Sequence, residues 1–229
     1  MARRGKKYVN IKKDRPMETL SLSEGIESVK KLSYSSFKGS IELHLLMNLP
    51  KDTDPKSLKG SVSLPYSTSD KNVRIAVFTT PDKQEVAKAA GADLYDLDQL
   101  MKDVKEGNVD FDVAIASPDV MPQIAVLGKE LGPRGLMPNP KTGTVTEDIA
   151  KAVEEYKKGK MNFKSDDTGG MHFTVGNVEM ETEQLLENIT TCVAAAAEVI
   201  GRPVRQAVKL AHLAPTMGPS VKVQFVVEE

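Results

Sequence analysis

The chain of 229 residues is long enough for two domains of ordinary size. Its apolar residues, 40% of the total, occur in runs that are much shorter than a membrane-spanning helix requires. The single cysteine, Cys192, excludes an internal disulfide and a multi-cysteine metal site, and we expect it to be a small buried residue. The basic N-terminus leads into no apolar signal segment, so we expect a cytoplasmic protein without a membrane partner.

Charge is distributed unevenly along the chain, although the net charge is only -1. Residues 1–38 hold ten Lys and Arg against four Asp and Glu, a net charge of +6. Residues 67–157 hold eleven basic against sixteen acidic residues, a net charge of -5. Such asymmetry indicates that one part of the protein meets a polyanion while another stays in solvent. For residues 1–15 alone, a disordered, solvated tail is the alternative.

The first segment alternates between helix and strand signals. Ser21-Leu22-Ser23-Glu24 predicts a helix start, and Ile26, Val29 and Leu32 continue the helical spacing to about Ser33. Residues 33–39 form a polar loop with one aromatic, Phe37. Strands are predicted over 41–46 and 60–64, separated by a Pro- and Asp-rich turn over 51–59.

The pattern changes at residues 67–70 to strands alternating with helices. Buried strands are predicted over 73–78 and 111–116, with a short strand over 93–95. Between and after them we expect the helices 82–90, 97–106, 119–131 and 147–158, with a loop rich in Gly and Pro before the last. This alternation is typical of a small three-layer α/β unit.

Beyond Gly159 the pattern resembles the first segment again. We expect strands over 161–165 and 171–175, paired as a hairpin across the turn 166–170, and a helix over 182–200, capped by Thr182 and closed by Gly201. Strands over 208–213 and 221–227 flank the turn 214–219. The predicted architecture is a discontinuous antiparallel α+β domain, residues 1–66 with 160–229, interrupted by an inserted three-layer α/β (Rossmann-like) domain, residues 67–159.

The most unusual string runs from Leu131 to Val145, LGPRGLMPNPKTGTV, and its glycines and prolines predict a fixed, non-helical path. It closely resembles the signature of the L-one family of large-subunit ribosomal proteins, bacterial type. Three further strings are similar to that family in the right order: GSVSLP at 60–65, DFD with SPDVM at 110–121, and TMGPSV at 216–221. The resemblance therefore covers nearly the whole chain.

The resemblance implies a non-enzymatic protein of two domains joined by a two-stranded hinge. Family members bind the mobile rRNA stalk beside the site where deacylated tRNA leaves the ribosome, so exit-site tRNA is a second expected partner. Bacterial members also commonly bind their own messenger and repress its translation. We expect a monomer within the ribosome, without cofactor or metal.

The expected RNA surface lies on the discontinuous domain. The residues that the resemblance places there are Phe37, Ser40, Glu42, Asp166, Thr168, Gly169, His172, Thr216, Met217 and Gly218. Two lysines beside these positions, Lys38 and Lys164, complete the expected set.

Physical reasons for these positions exist but leave alternatives open. Phe37 suits packing on an unstacked base, or it anchors its loop in the core. Thr216–Gly218 presents hydroxyl and backbone groups to RNA, or it is a plain hairpin turn. For His172 a structural role in its strand competes with RNA contact. The sequence departs from the family at Ser36, Asp167, Leu210 and Pro215, where basic or hydroxyl residues are expected, so we expect fewer phosphate contacts.

Two other functional classes are the alternatives. Lys141-Thr142-Gly143 and Ser28-Val29-Lys30-Lys31 match short boxes of serine β-lactamases, but no Ser-Asp-Asn box lies between them. A free α/β nucleotide-binding or regulatory module is the other alternative, although no glycine-rich phosphate loop occurs. The three histidines, at 44, 172 and 212, lack metal-ligand spacing in the sequence. Co-sedimentation with ribosomes separates a ribosomal protein from a free module.

Overall fold

The structure, a computed structural model, describes residues 5–50, 53–68 and 73–225. The predicted change of pattern at 69–70, the start of the 51–59 turn and the end of the 221–227 strand lie outside these residues. In chain order the elements are α1 (Lys6–Lys13), β1 (Leu20–Ser21), α2 (Leu22–Leu32), β2 (Ser40–Met47), β3 (Lys59–Ser63), β4 (Ile75–Phe78), α3 (Pro81–Ala89), α4 (Leu97–Lys105), β5 (Val113–Ala116), α5 (Met121–Ile124), α6 (Gly128–Arg134), α7 (Ile149–Lys157), β6 (Lys160–Lys164), β7 (Gly170–Asn177), α8 (Thr182–Ile200), α9 (Val204–Ala207), β8 (Val208–Pro215) and β9 (Val221–Gln224).

A five-stranded sheet forms the centre of one compact unit, Met1–Ser69 with Asn162–Glu229. The strand order is β1-β9-β8-β2-β7, and the neighbouring strands are antiparallel except for β1 beside β9. Alternation along β2 buries Ile41, Leu43 and Leu45 on the face that α2 and α8 cover. We call the opposite face of this sheet the outer face. The predicted antiparallel α+β class is confirmed for this unit.

Local signals explain the two helices that cover the sheet, α2 and α8. The Ser21 hydroxyl accepts from the backbone N–H of Glu24, and the Glu24 carboxylate accepts from the N–H of Ser21, so α2 begins with a capping box. Helix α8 ends at Gly201 as predicted, with φ of 72°. Its N-cap is Glu181, so the prediction of Thr182 as the cap is wrong by one residue.

Cys192 lies in α8 and is completely buried. Burial raises the pKa of its thiol to about 12, because the charged thiolate loses its hydration. The prediction of a small buried cysteine is confirmed.

The second unit, Asp70–Met161, is built on the parallel pair β4 and β5. Isolated parallel bridges at Leu94 and Val145 extend this pair on both sides. Apolar side chains leave β4 in both directions: Ala76 and Phe78 pack with α4, α5 and α6, whereas Ile75 and Val77 pack with α3 and α7. Both faces of the strands are thus covered, and the predicted three-layer α/β class is confirmed.

The helix predicted over 119–131 is broken in the structure. Turns of 3-10 helix at Pro118–Val120 and Ala125–Leu127 alternate with α5 and α6. Pro122 lacks a backbone N–H, and Gly128 has weak helix propensity, so a single helix is not favoured here. Helix α6 also continues through Pro133 to Arg134, so the first residues of the 131–145 string are helical, contrary to prediction. The non-helical path of the 131–145 string begins at Gly135, where φ is 74°.

The hairpin predicted between 161–165 and 171–175 is wrong, although the turn between them exists. Strand β6 pairs with β3 and β7 pairs with β2, so the two strands enter different sheets. Between them the described residues form one isolated bridge, Ser165 to Met171. Helices α1 and α9 were not predicted, and an unstructured tail is the wrong interpretation for residues 6–13.

Candidate RNA interface

The loop at 33–39 presents Phe37 to solvent. This loop follows α2, which ends at the buried Leu32, and leads into β2. The Phe37 side chain is 57% exposed, so the alternative in which it anchors the loop in the core is wrong. Ser36 and Lys38 beside it are exposed as well. The Lys38 ammonium pairs with the Glu179 carboxylate at 2.7 Å in an exposed ion pair.

The turn after β8 is held to the start of β2 by Thr216. Its hydroxyl accepts from the backbone N–H of Ser40 at 2.9 Å and donates to the Ser40 carbonyl at 3.1 Å. The Thr216 N–H donates to the same carbonyl. The hydroxyl hydrogen is therefore already used within the protein, and the expectation that it is free to donate to RNA is wrong. Thr216 fixes the position of the turn.

Met217 and Gly218 complete this turn. The Met217 side chain is 39% exposed, and its carbonyl accepts from the N–H of Tyr34. A Cβ on Gly218 would lie 2.6 Å from Pro215 Cγ and 2.7 Å from the Leu32 carbonyl oxygen. The φ of Gly218 is not positive, so backbone conformation alone does not require a glycine here. Glycine is required because the two loops pack backbone against backbone.

These contacts bring the two loops together at one end of the sheet. Six of the twelve predicted site residues meet there: Phe37, Lys38, Ser40, Thr216, Met217 and Gly218. The two exposed apolar side chains, Phe37 and Met217, belong to loops that are fastened to each other. We call this group the loop end.

The turn at 166–170 is organised by Asp166. Its Oδ1 atom accepts from the N–H of Gly170, from the N–H of Thr168 and from the Thr168 hydroxyl, at 2.6 to 2.8 Å. These bonds, led by the one from Gly170, lower the pKa of Asp166 to about 2. Gly169 has φ of 83°, the left-handed conformation that this turn requires. Lys164 is exposed at the end of β6, before the turn. We call Lys164, Asp166, Thr168 and Gly169 the turn end.

The loop end and the turn end lie at opposite ends of strand β2. Register pairs Ile41 of β2 with Pro215, near the loop end, and Leu46 with Gly170, at the turn end. Five residues of strand separate Ile41 from Leu46, which is about 17 Å. Ten of the twelve predicted residues therefore form two groups, and an RNA that contacts both must cross the outer face between them.

Glu42, His44 and His172 occupy that intervening outer face. His44 Nδ1 lies 2.8 Å from His172 Nδ1, so one ring donates and the other accepts. Burial, together with His172, lowers the pKa of His44, while Glu42 acts in the opposite direction. The interpretation of His172 as a purely structural strand residue does not fit its 57% side-chain exposure.

Sequence reasoning missed His212, Lys222 and Arg15. In register, His44 pairs with His212, which pairs with Lys222. The charge of Arg15 contributes to lowering the pKa of His212, after burial, which is the largest cause. The outward positions of His212 and Lys222 follow from strand alternation in the sequence, whereas Arg15 lies in a bend between α1 and β1. The strand order that places them side by side is a tertiary feature.

The residues at which the sequence departs from the family pattern lie in different structural surroundings. Asp167 pairs with Lys56 at 3.2 Å in an exposed ion pair, and Pro215 is buried. Leu210 is half-buried opposite Leu46. None of these residues disturbs the two groups of predicted site residues.

The described part of the chain shows neither a metal site nor a membrane-spanning helix. No three His, Cys, Asp or Glu side chains among residues 5–50, 53–68 and 73–225 are placed to hold a metal ion. Within the same residues, no helix combines the length and apolar character needed to cross a bilayer.

Comparison with known proteins identifies the family. Residues 29–219 match the model of the ribosomal protein L1p/L10e family. A large ribosomal subunit protein uL1 of Kosmotoga olearia is 42% identical over the full length of both chains. The uL1 protein of Fervidobacterium nodosum is 44% identical over 98% of this chain and 97% of its own. That of Pediococcus pentosaceus is 40% identical over 98% of this chain and 99% of its own. The chain therefore belongs to the ribosomal protein L1p/L10e family, as the resemblance implied, and it is not an enzyme.

Proposed function

We propose that this chain binds folded rRNA of the large ribosomal subunit, at the mobile stalk near the tRNA exit site. The RNA surface is the outer face of the discontinuous unit, from the loop end to the turn end. The observation that carries this proposal is the exposure of Phe37 and Met217 on two loops that backbone contacts fasten together. Neither side chain is buried in the core, so both are available to an external partner.

The chemistry of the loop end suits unstacked bases and sugars. An aromatic ring and a thioether offer apolar, polarisable surfaces on which a base or a ribose can pack. Around them lie the backbone groups of the two loops, whose segments 33–39 and 214–219 contain no arginine. Recognition of this kind depends on the shape of a folded RNA more than on its sequence.

Charge supports the same assignment of roles to the two units. The basic residues of segment 1–38 belong to the discontinuous unit, whereas the acidic segment 67–157 lies almost wholly in the inserted unit. Because RNA is a polyanion, the discontinuous unit is the favoured partner of RNA. The inserted unit then faces solvent or other components, including exit-site tRNA.

Further parts of the proposal rest on family membership. The relatives compared above are named as large-subunit ribosomal proteins. We propose that this chain likewise acts as a monomer on the ribosome in the cytoplasm, without a cofactor. Repression of its own messenger is a second proposed role, since a messenger structure that resembles the stalk would meet the same surface.

Salt dependence of binding tests the proposal. The intact chain is titrated with a stalk fragment of large-subunit rRNA, and with a simple RNA hairpin of equal length, at several salt concentrations. Log affinity for the stalk should fall linearly with log salt, with a slope that corresponds to about two to five phosphates. Equal affinity for both RNAs, or a stalk affinity unchanged by salt, would contradict the proposal.

A further inference from the structure

A row of ionisable side chains crosses the outer face at the middle of the proposed RNA path. His172, His44, His212 and Lys222 stand on four consecutive strands, β7, β2, β8 and β9, in direct register. Because they occupy equivalent positions on one face, the row runs perpendicular to the strands. It lies between the loop end and the turn end.

Two rings of this row are enclosed between two carboxylates. His44 Nε2 lies 3.6 Å from Glu42 Oε2, and His172 Nε2 lies 3.6 Å from Asp166 Oδ2. The Nδ1 atoms of the two rings face each other at 2.8 Å, and the rings meet edge to face at 5.0 Å. The order is carboxylate, imidazole, imidazole, carboxylate, and we call these four side chains the imidazole array.

The hydrogen bonds within the imidazole array depend on the number of protons on its two rings. With both rings neutral, one Nδ1 donates to the other, and the donating ring turns a bare Nε2 lone pair toward its carboxylate. One added proton fills that Nε2, so each carboxylate then faces an N–H and the central hydrogen bond is kept. A second added proton would set two N–H groups against each other and break the central bond. The geometry therefore accommodates one extra proton.

The third ring of the row has different neighbours. His212 stands beside Lys222 across the β8–β9 ladder and feels the charge of Arg15 from the N-terminal segment. Burial and these two cations lower the pKa of His212, so a proton on this ring is disfavoured. Among the residues that the structure describes, the charged groups that act on the rings of the row are Glu42, Asp166, Arg15 and Lys222.

We infer that the imidazole array takes up one proton when RNA binds, so that affinity for the stalk rises as the pH falls. This inference rests on the proposed function, because the array lies on the proposed RNA path. With both carboxylates ionised and both rings neutral, the array carries two negative charges; with one added proton it carries one. Phosphates nearby favour the protonated array, and the proton thereby removes half of the repulsion.

The direction of the pH dependence follows from the linkage between proton binding and RNA binding. Burial and His172 lower the pKa of His44 in the free protein, whereas an RNA phosphate raises it in the complex. The complex then binds more protons than the free protein, and affinity increases as the pH falls through that interval. One proton gives at most about a tenfold change in affinity for each unit of pH.

The test measures Kd for the stalk fragment at about pH 8 and about pH 6 at one salt concentration, with melting temperatures recorded alongside. The intact chain should bind about five- to twentyfold more tightly at the lower pH. In His44→Gln/His172→Gln, two neutral amides replace the rings, and the affinity should differ by less than about twofold between the two pH values. If the double variant is unstable, the single variant His172→Gln, at the more exposed ring, replaces it in the same comparison of affinities at the two pH values.

His212→Gln is the matched control, because it removes a ring of the same row outside the imidazole array. The His212→Gln variant should keep the pH dependence of the intact chain. Every titration uses the same RNA, so protonation of the RNA itself contributes equally for all variants. Stalk binding that is equal at both pH values would overturn the inference while leaving the proposed function intact. A pH dependence that survives in the double variant, or disappears in His212→Gln, would also overturn it. Absence of stalk binding at both pH values would refute the proposed function itself, and the inference with it.

Discussion

Replacing Phe37 and Met217 together by alanine should lower the affinity for stalk RNA by about 100-fold while leaving the melting temperature within about 2 °C of the unchanged chain. Stacking of one base on an aromatic side chain is worth about 1–3 kcal/mol, and packing of a thioether on a sugar or base adds to it. Both side chains are exposed in the free protein, at 57% and 39%, so their truncation removes little from the core. Affinity and thermal unfolding are measured on the same preparations.

A matched control uses two other exposed apolar side chains. Met17 is 92% exposed and Val126, in the inserted unit, is 68% exposed. Met17→Ala/Val126→Ala truncates two exposed apolar side chains that do not belong to the loop end, and it should leave affinity unchanged. Equal losses in both double variants would indicate a general effect of exposed apolar surface. A fall in melting temperature confined to the Phe37 and Met217 variant would assign these residues a structural role instead.

Gly218→Ala should lower the free energy of unfolding by about 2–3 kcal/mol and weaken RNA binding as well. The added Cβ would meet Pro215 Cγ at 2.6 Å and the Leu32 carbonyl oxygen at 2.7 Å. The carbonyl belongs to the backbone and cannot turn away as a flexible side chain could. The two loops must therefore separate, which displaces Phe37 from Met217. Urea unfolding and stalk titration provide the two measurements.

Two companion variants make this prediction specific. Gly128→Ala, at a helical glycine with no atom within 4 Å of the added Cβ, should be neutral or slightly stabilising. Thr216→Val, in the same turn as Gly218, loses both side-chain hydrogen bonds to Ser40 and should cost about 1–2 kcal/mol. A Gly218→Ala variant as stable as Gly128→Ala would show that the loops are not packed as described.

Local signals in the sequence predicted the parts of the fold that local chemistry determines. The capping box at Ser21 and Glu24 and the alternation of Ile41, Leu43 and Leu45 depend on neighbouring residues alone. The pairing of β6 with β3 was not predictable, because the turn at 166–170 is compatible with a hairpin. The choice between the two partners is made by packing with residues distant in the sequence.

The sequence named candidate site residues but did not predict how they are arranged. The exposed Phe37 and the turn at Thr216–Gly218 came from the family resemblance, and the structure adds the backbone contacts that join them. The row formed by His172, His44 and His212 could not be predicted. Three outward positions on separate strands become neighbours only when the order β7-β2-β8 is known.

The central claim is that the discontinuous unit carries the RNA surface, and removal of the inserted unit tests it most directly. Residues 68–158 are replaced by a short Gly/Ser linker, and circular dichroism and cooperative thermal unfolding establish that the remainder is folded. Its Kd for the stalk fragment is then compared with that of the intact chain at the same salt and pH. We expect the two values to agree within about threefold, because both the loop end and the turn end remain. A folded remainder that no longer binds the stalk would place the main RNA surface on the inserted unit and contradict the account.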